Sequence, residues 1–206
     1  MPRYVGRENV RKRLEPIAGR PGRTVYADGA VLIETAEETI TVRPPFGLTH
    51  ACVYEKVELG PLFDELARDH VVAAVLVRLG GFAIGLFDGE RLVVSKVGSR
   101  FVKGRHRKGG SSSGRFGRRR EEQARALIEA AAGTAGTVLE PHRERIEHVA
   151  VGGDRAAAGK VVEQLPWLGE KALPRFFTVP EPRYRQLERL PYDLYAAEIS
   201  EEPARP

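Results

Sequence analysis

The sequence predicts a mixed α/β fold, an antiparallel hairpin sheet extended by parallel strands through crossover helices. Three observations predict it. Val71 to Leu79 is a near-continuous apolar run, the pattern of a strand buried on both faces. Gly80-Gly81 and Asp88-Gly89 then divide the following apolar residues into two short segments, giving three strands joined by short connections. Beyond about residue 115 the periodicity turns helical and alternates between helix and strand.

In chain order, residues 1–19 mix Arg and Glu with few large apolar groups and are expected to form a surface extension. A short amphipathic helix over Val10 to Ile17, interrupted by Pro16, is the alternative. Thr24–Tyr26, Val31–Ile33 and Thr39–Val42 are β-branched or apolar runs separated by turns at Asp28-Gly29 and Glu37-Glu38. They predict a three-stranded meander that Pro44-Pro45 closes. Gly60-Pro61 opens a helix over 60–70, with Leu62, Phe63, Leu66 and Ala67 on one face.

After the three strands, Ala124, Leu127, Ile128 and Ala131 follow the helical spacing, and Gly133 is the expected stop. Residues 134–145 are expected to connect to a strand over Ile146 to Val151. Asp154, after Gly152-Gly153, is a natural cap for a helix over Arg155 to Leu165. A fifth strand over Arg175 to Val179, a short helix over Tyr184 to Leu190 and a frayed end from Ser200 complete the prediction. This order is similar to the ribonuclease-H-like layout, which nucleases share with domains that cut nothing.

Composition narrows the function. An apolar content of 42% over 206 residues allows a real core in one domain with a small appendage. No apolar run reaches the ~18 residues that a membrane helix needs. The first residues lack the apolar stretch of a secretory signal. A single cysteine, Cys52, excludes an internal disulfide framework and a Cys-rich zinc site, and it implies a reducing cytoplasm.

Charge is concentrated. Lys103 to Arg120, KGRHRKGGSSSGRFGRRR, holds eight Lys/Arg and no acid, whereas the whole chain is only +5. The rest of the chain is therefore net negative, and the basicity is one patch aimed at an anionic partner, with nucleic acid the first candidate. A solvated Gly/Ser linker has the same composition.

Several chemistries fail on residue type. Gly104 to Ser111 has the spacing of a phosphate-binding P-loop, but Gly110 stands where the lysine that reaches the terminal phosphates belongs. A metal-dependent nuclease needs carboxylates converging from the strands, and Val71 to Leu79 carries none. Asp88 is explained by its turn and Asp154 by its helix cap. His142 and His148, six residues apart, lack ligand spacing, so no metal is expected. Trp167 is expected to anchor the core.

The stretch Gly109-Gly110-Ser111-Ser112-Ser113-Gly114-Arg115-Phe116-Gly117-Arg118-Arg119-Arg120 resembles the catalytic loop of the eukaryotic and archaeal class I release factors. Their pattern is Gly-Gly-Gln-Ser, two small or apolar residues, Arg-Phe, a small residue, Arg, any residue, Arg, opening a long helix. Gly109, Gly110, Ser112, Arg115, Phe116, Arg118 and Arg120 match it position by position. The likeness covers about residues 70–180 by element order and looks closest to the Vms-like release factor branch, its actinobacterial members in particular. One position departs. Ser111 stands in place of the family's glutamine in the direct register, and Ser112 does in the Vms-like register.

The resemblance implies a codon-independent peptidyl-tRNA hydrolase acting on stalled large ribosomal subunits, without a cofactor. Residues 59–200 would be the release-factor-like domain, 1–58 an extension and 201–206 a tail. The resemblance assigns catalysis to Gly109, Gly110, Ser111 and Ser112. It assigns rRNA or tRNA phosphate contacts to Arg105, Arg107, Lys108, Arg115, Arg118, Arg119 and Arg120. The missing glutamine leaves a second implication, a catalytically silent ribosome- or tRNA-binding module. A monomer is expected.

Overall fold

The computed structural model describes residues 3–99 and 113–204. In chain order the elements begin with β1 (Arg3–Gly6), α1 (Arg7–Leu14), β2 (Arg23–Ala27), β3 (Ala30–Glu34), β4 (Glu38–Arg43), β5 (Cys52–Tyr54), α2 (Gly60–Ala67), β6 (Val71–Arg78), β7 (Gly81–Asp88) and β8 (Arg91–Ser99). They continue with α3 (Ser113–Leu139), β9 (His148–Gly153), α4 (Arg155–Gln164), α5 (Pro166–Glu170), β10 (Ala172–Phe177), α6 (Tyr184–Leu194) and β11 (Ala196–Pro203). The chain divides into two compact units, Met1–Asp69 with Pro191–Pro206, and His70–Leu190.

The first unit carries a six-stranded sheet in the order β1-β11-β4-β3-β2-β5. The predicted meander is its centre. Asp28 and Gly29 both take positive φ, 51° and 69°, so they form the two-residue turn whose twist matches a hairpin. The expectation of a surface extension over residues 1–19 is corrected. These residues form a strand and a helix, and Val10 and Leu14 are fully buried. Val10, Leu14 and Ile17 fall at i, i+4 and i+7, one helical face, and the charged residues take the other. Pro16 opens a 3-10 turn after α1, where its missing N–H costs nothing.

The frayed end is also corrected. β11 pairs with β1 on one side and β4 on the other, so Ser200–Pro203 are held in a ladder. Arg13 adds ion pairs to Glu38 at 3.3 Å and Glu201 at 3.2 Å. Such exposed pairs contribute little, and the backbone ladder does most to hold this end of the chain.

Tyr26 fixes the connection that leads to α2. Its hydroxyl donates to the Glu58 carbonyl at 2.7 Å, and the Thr24 hydroxyl donates to the Lys56 carbonyl at 2.9 Å. Burial pushes the Tyr26 phenol up from 10.0 to about 12.

The second unit carries a five-stranded sheet in the order β10-β9-β6-β7-β8. β6, β7 and β8 pair antiparallel, while β9 joins β6 and β10 joins β9 in parallel. This is the mixed sheet that the sequence predicts. Val72 to Val77 are fully buried on both faces of the central strand. One face packs Ala73, Val75 and Val77 with α3, α4 and α5, and Trp167 is buried there as expected. On the other face Ala150, Ala74 and Gly85 sit in one row of partners, and the Leu187 side chain of α6 lies over Gly85.

Helix α3 overruns its predicted stop. Leu127, Ala131, Ala135 and Leu139 form a fully buried i, i+4 stripe that carries the helix past Gly133 and Gly136. The Thr134 and Thr137 hydroxyls donate back to the Ala130 and Gly133 carbonyls at 2.8 and 2.9 Å. Among the described residues, no helix is long and apolar enough to cross a membrane.

The Tyr26 phenol makes a pH-dependent contribution. The unfolded chain loses this proton near its ordinary value of 10.0, whereas the folded chain holds it to about 12. The contribution is complete below pH ~10 and is lost as pH rises to ~12, on the order of 3 kcal/mol in all. Thermal melts from pH ~9 to ~11 should therefore fall more steeply for the native chain than for Tyr26→Phe.

Candidate nucleic-acid interface

Strand direction decides which side of the second sheet carries the basic segment. β8 is antiparallel to β7, which is antiparallel to β6, so β6, β8, β9 and β10 all run the same way. Their carboxyl ends share one edge. Residues 100–112 leave from the carboxyl end of β8, and the chain re-enters as α3 at Ser113. Carboxyl edges of sheets with parallel strands are the usual place for ligand sites.

Two glycines build that edge. Gly153 has φ +99°, and a Cβ there would overlap the Val77 carbonyl. A Cβ on Gly152 would press on the Phe177 carbonyl. Their absence of side chain lets β9 end tight against both neighbours. Asp154 then donates its N–H to the Val77 carbonyl at 2.7 Å, and its carboxylate accepts the Ala157 N–H at 2.9 Å. It is the helix cap the sequence predicts, not a catalytic acid. Asp88 lies at the opposite edge, 3.5 Å from Arg145.

A groove of about 600 Å³ opens along the carboxyl edge, lined by Arg78 to Gly81, Val97 to Ser99 and Pro180 to Arg183. Arg78 donates to the Val179 carbonyl at 3.3 Å, and Arg183 pairs with Glu181 at 2.8 Å. At the root of the basic segment, a Cβ on Gly98 would overlap the buried Phe82 ring. Gly98 therefore lets that ring cross under β8 beside the groove.

Helix α3 holds the other end of the segment. Arg118 to Ala126 contain no buried residue, and a buried stripe follows from Leu127. From Ser113 to Ala126 is about 20 Å of helix at ~1.5 Å per residue. Arg118 and Arg119 are exposed and Arg120 is half-buried. Three consecutive residues fan over about 200° of helix surface. They present charge in several directions, which suits a polyanion more than one bound phosphate.

Of the residues assigned from sequence, Gly109, Gly110, Ser111 and Ser112 lie outside the described residues, as do Arg105, Arg107 and Lys108. Arg115 lies at the start of α3, with Arg118, Arg119 and Arg120 in its following turns. Gln123, the nearest glutamine, is ten residues into α3, about 15 Å from its start. The groove residues Arg78 and Arg183 carry no motif and go unnoticed in the sequence. So does a cluster at the opposite edge, where His148 meets His70 and Glu147.

The glycine requirement is testable by contrast. Gly153→Ala should cost on the order of 3 kcal/mol, from positive φ and overlap together. Gly133 faces open space inside α3, so Gly133→Ala should stabilise by up to about 1 kcal/mol. Urea melts of both variants measure the difference.

A family model described as Actinobacteria/chloroflexi VLRF1 release factor matches residues 70–200. Among curated proteins, peptide chain release factor subunit 1 of Archaeoglobus fulgidus is 29% identical over 133 residues, 63% of this chain and 33% of that protein. The chain thus spans about a third of the length of this relative. Among solved structures, the archaeal translation termination factor aRF1 aligns with TM-score 0.48 and 14% identity, over 93% of this chain and 73% of that one. The S. cerevisiae translation termination-like factor Dom34 aligns with TM-score 0.35 and 8% identity, over 90% and 64%.

Proposed function

Because the chain belongs to the Actinobacteria/chloroflexi VLRF1 release factor family, we propose that it is a codon-independent peptidyl-tRNA hydrolase that rescues stalled large ribosomal subunits. The observation that carries this reading is the placement of the basic segment. It joins the carboxyl end of β8 to a helix that has no buried residue from Arg118 to Ala126. A segment mounted in this way suits insertion into a narrow, phosphate-lined site such as the peptidyl-transferase centre.

The proposed chemistry follows from residue type. Gly109 and Gly110 let the backbone approach the peptidyl-tRNA ester closely. The N–H of Ser111 donates to the oxyanion that develops as water attacks, or to the leaving 3′-oxygen. Ser111 or Ser112 takes the place that the resembled release factors give to a water-positioning glutamine, with a shorter reach. Arg105, Arg107, Lys108, Arg115, Arg118, Arg119 and Arg120 neutralise rRNA or tRNA phosphates and set the register.

The deciding assay uses large subunits carrying labelled peptidyl-tRNA. Release should be measurable with the native chain and fall by about 100-fold or more in Gly110→Ala, with binding retained. Ser111→Gln should speed release if the direct register holds, and Ser112→Gln if the Vms-like register holds. Tight binding without release would overturn the hydrolase reading in favour of the silent binding module, which the absent glutamine favours.

Salt provides a separate check on the interface. The log of large-subunit affinity should fall linearly with log salt. Replacing Arg118, Arg119 and Arg120 together by Ala should flatten that slope by up to about 3, roughly one for each phosphate left without its arginine. A slope that the triple variant leaves unchanged would remove these arginines from the interface.

A further inference from the structure

His70, Glu147 and His148 come together at the edge of the second sheet opposite the one that the basic segment leaves. The parallel register makes the meeting. Val72 pairs with His148, so the residues that open β6 and β9 lie side by side although 77 positions apart. His70 is only 4% exposed, and its Nδ1 lies 2.9 Å from Glu147 Oε2. The other carboxylate oxygen accepts the Val71 N–H at 3.0 Å, and the Glu147 N–H donates to the Val71 carbonyl at 2.9 Å. The His70 and His148 rings stand edge to face with centroids 5.1 Å apart. One donor atom from each of the three residues lies within 4.8 Å of the others.

We propose that this cluster binds a single zinc-class divalent ion, which ties the start of β6 to the start of β9. Two imidazoles and a carboxylate are a donor set that suits Zn²⁺, with water completing the tetrahedron. Bonds of about 2.0–2.1 Å place tetrahedral donors roughly 3.3 Å apart. The widest separation here closes to that with side-chain shifts of roughly 1 Å or more. A simple latch between strands needs only His70 and Glu147; a second imidazole against the first is what a metal site adds. Burial alone would raise the Glu147 pKa. The Val71 N–H, the His70 hydrogen bond and the nearby histidines outweigh it and hold the carboxyl below its usual range.

The ion's role is structural rather than hydrolytic. Along β6 the cluster lies about 25 Å, eight residues at ~3.3 Å, from the carboxyl edge that β8 reaches at Ser99. The inference rests on the described cluster alone and does not depend on the proposed release activity.

The test is zinc sulfate titrated into the untagged, chelator-treated full chain, followed by calorimetry and thermal melting. One-to-one uptake at micromolar or tighter Kd is expected, with Tm raised by about 5 °C at 100-fold excess over Kd. Cobalt(II) should give the intense visible band of a tetrahedral site. His148→Ala and Glu147→Gln should weaken Kd at least about 10-fold, while His142→Ala leaves it unchanged. His148 is the first choice of variant because it is less buried than His70, and circular dichroism verifies that the variant folds. No saturable uptake by the native chain, or equal uptake by folded His148→Ala, would overturn the proposal.

Discussion

The parallel pairing of β6 with β9 is the contact on which the second unit depends. It converts a three-stranded hairpin sheet, which local turns could assemble alone, into a mixed sheet with two chemically different edges. At the carboxyl edge it demands Gly152 and Gly153, because Val77 and Phe177 leave no room for a Cβ. At the amino edge it brings two histidines and a glutamate together. The same pairing orients the start of α4, whose cap is held by the Val77 carbonyl. One non-local register therefore shapes the carboxyl edge beside the basic segment and sets where a metal ion would be bound.

What was legible in the sequence follows the range of the interactions involved. The β6–β7–β8 hairpins were legible because Gly80-Gly81 and Asp88-Gly89 are local signals, and Gly89 does take positive φ, 62°. The Asp154 cap was legible for the same reason. β1 and β11 were not, because their partners lie far off in the chain: β1 pairs only with β11, almost 200 residues on, and β11 pairs with β1 and β4. Ala196, Ala197 and Ile199 are too small an apolar signal to announce a strand. α3 ran past Gly133 because a buried stripe outweighed the ~1 kcal/mol that a helical glycine costs. The arginines of α3 stand out by charge, whereas Arg78, Arg183 and the His70 cluster are assembled only by topology.

Helix α3 separates holding from reaching. Its buried stripe from Leu127 to Leu139 anchors it on the sheet, and Arg118 to Ala126 carry charge and no buried residue. Glycines occur at 114 and 117 and then not again until 133. The section between them is made of strong helix formers, chiefly Ala, Arg and Glu, which favour the helix where packing is thin. Helical propensity there adds to the anchor that the buried stripe provides. A packed lever would instead need a second apolar face, and that face would be a liability beside a polyanion.

Charge and chemistry then become separable properties of the same segment. The eight cations from Lys103 to Arg120 deliver attraction that depends on salt and hardly on the order of the residues. Hydrolysis depends instead on dipoles fixed where charge develops in the transition state, and there a displacement of about 1 Å costs orders of magnitude. Replacing a water-positioning glutamine by serine leaves the first property intact and bears wholly on the second. On the proposed reading, the serine bears on the rate and the selectivity for water and not on affinity, so release and binding are separate readouts of the same segment.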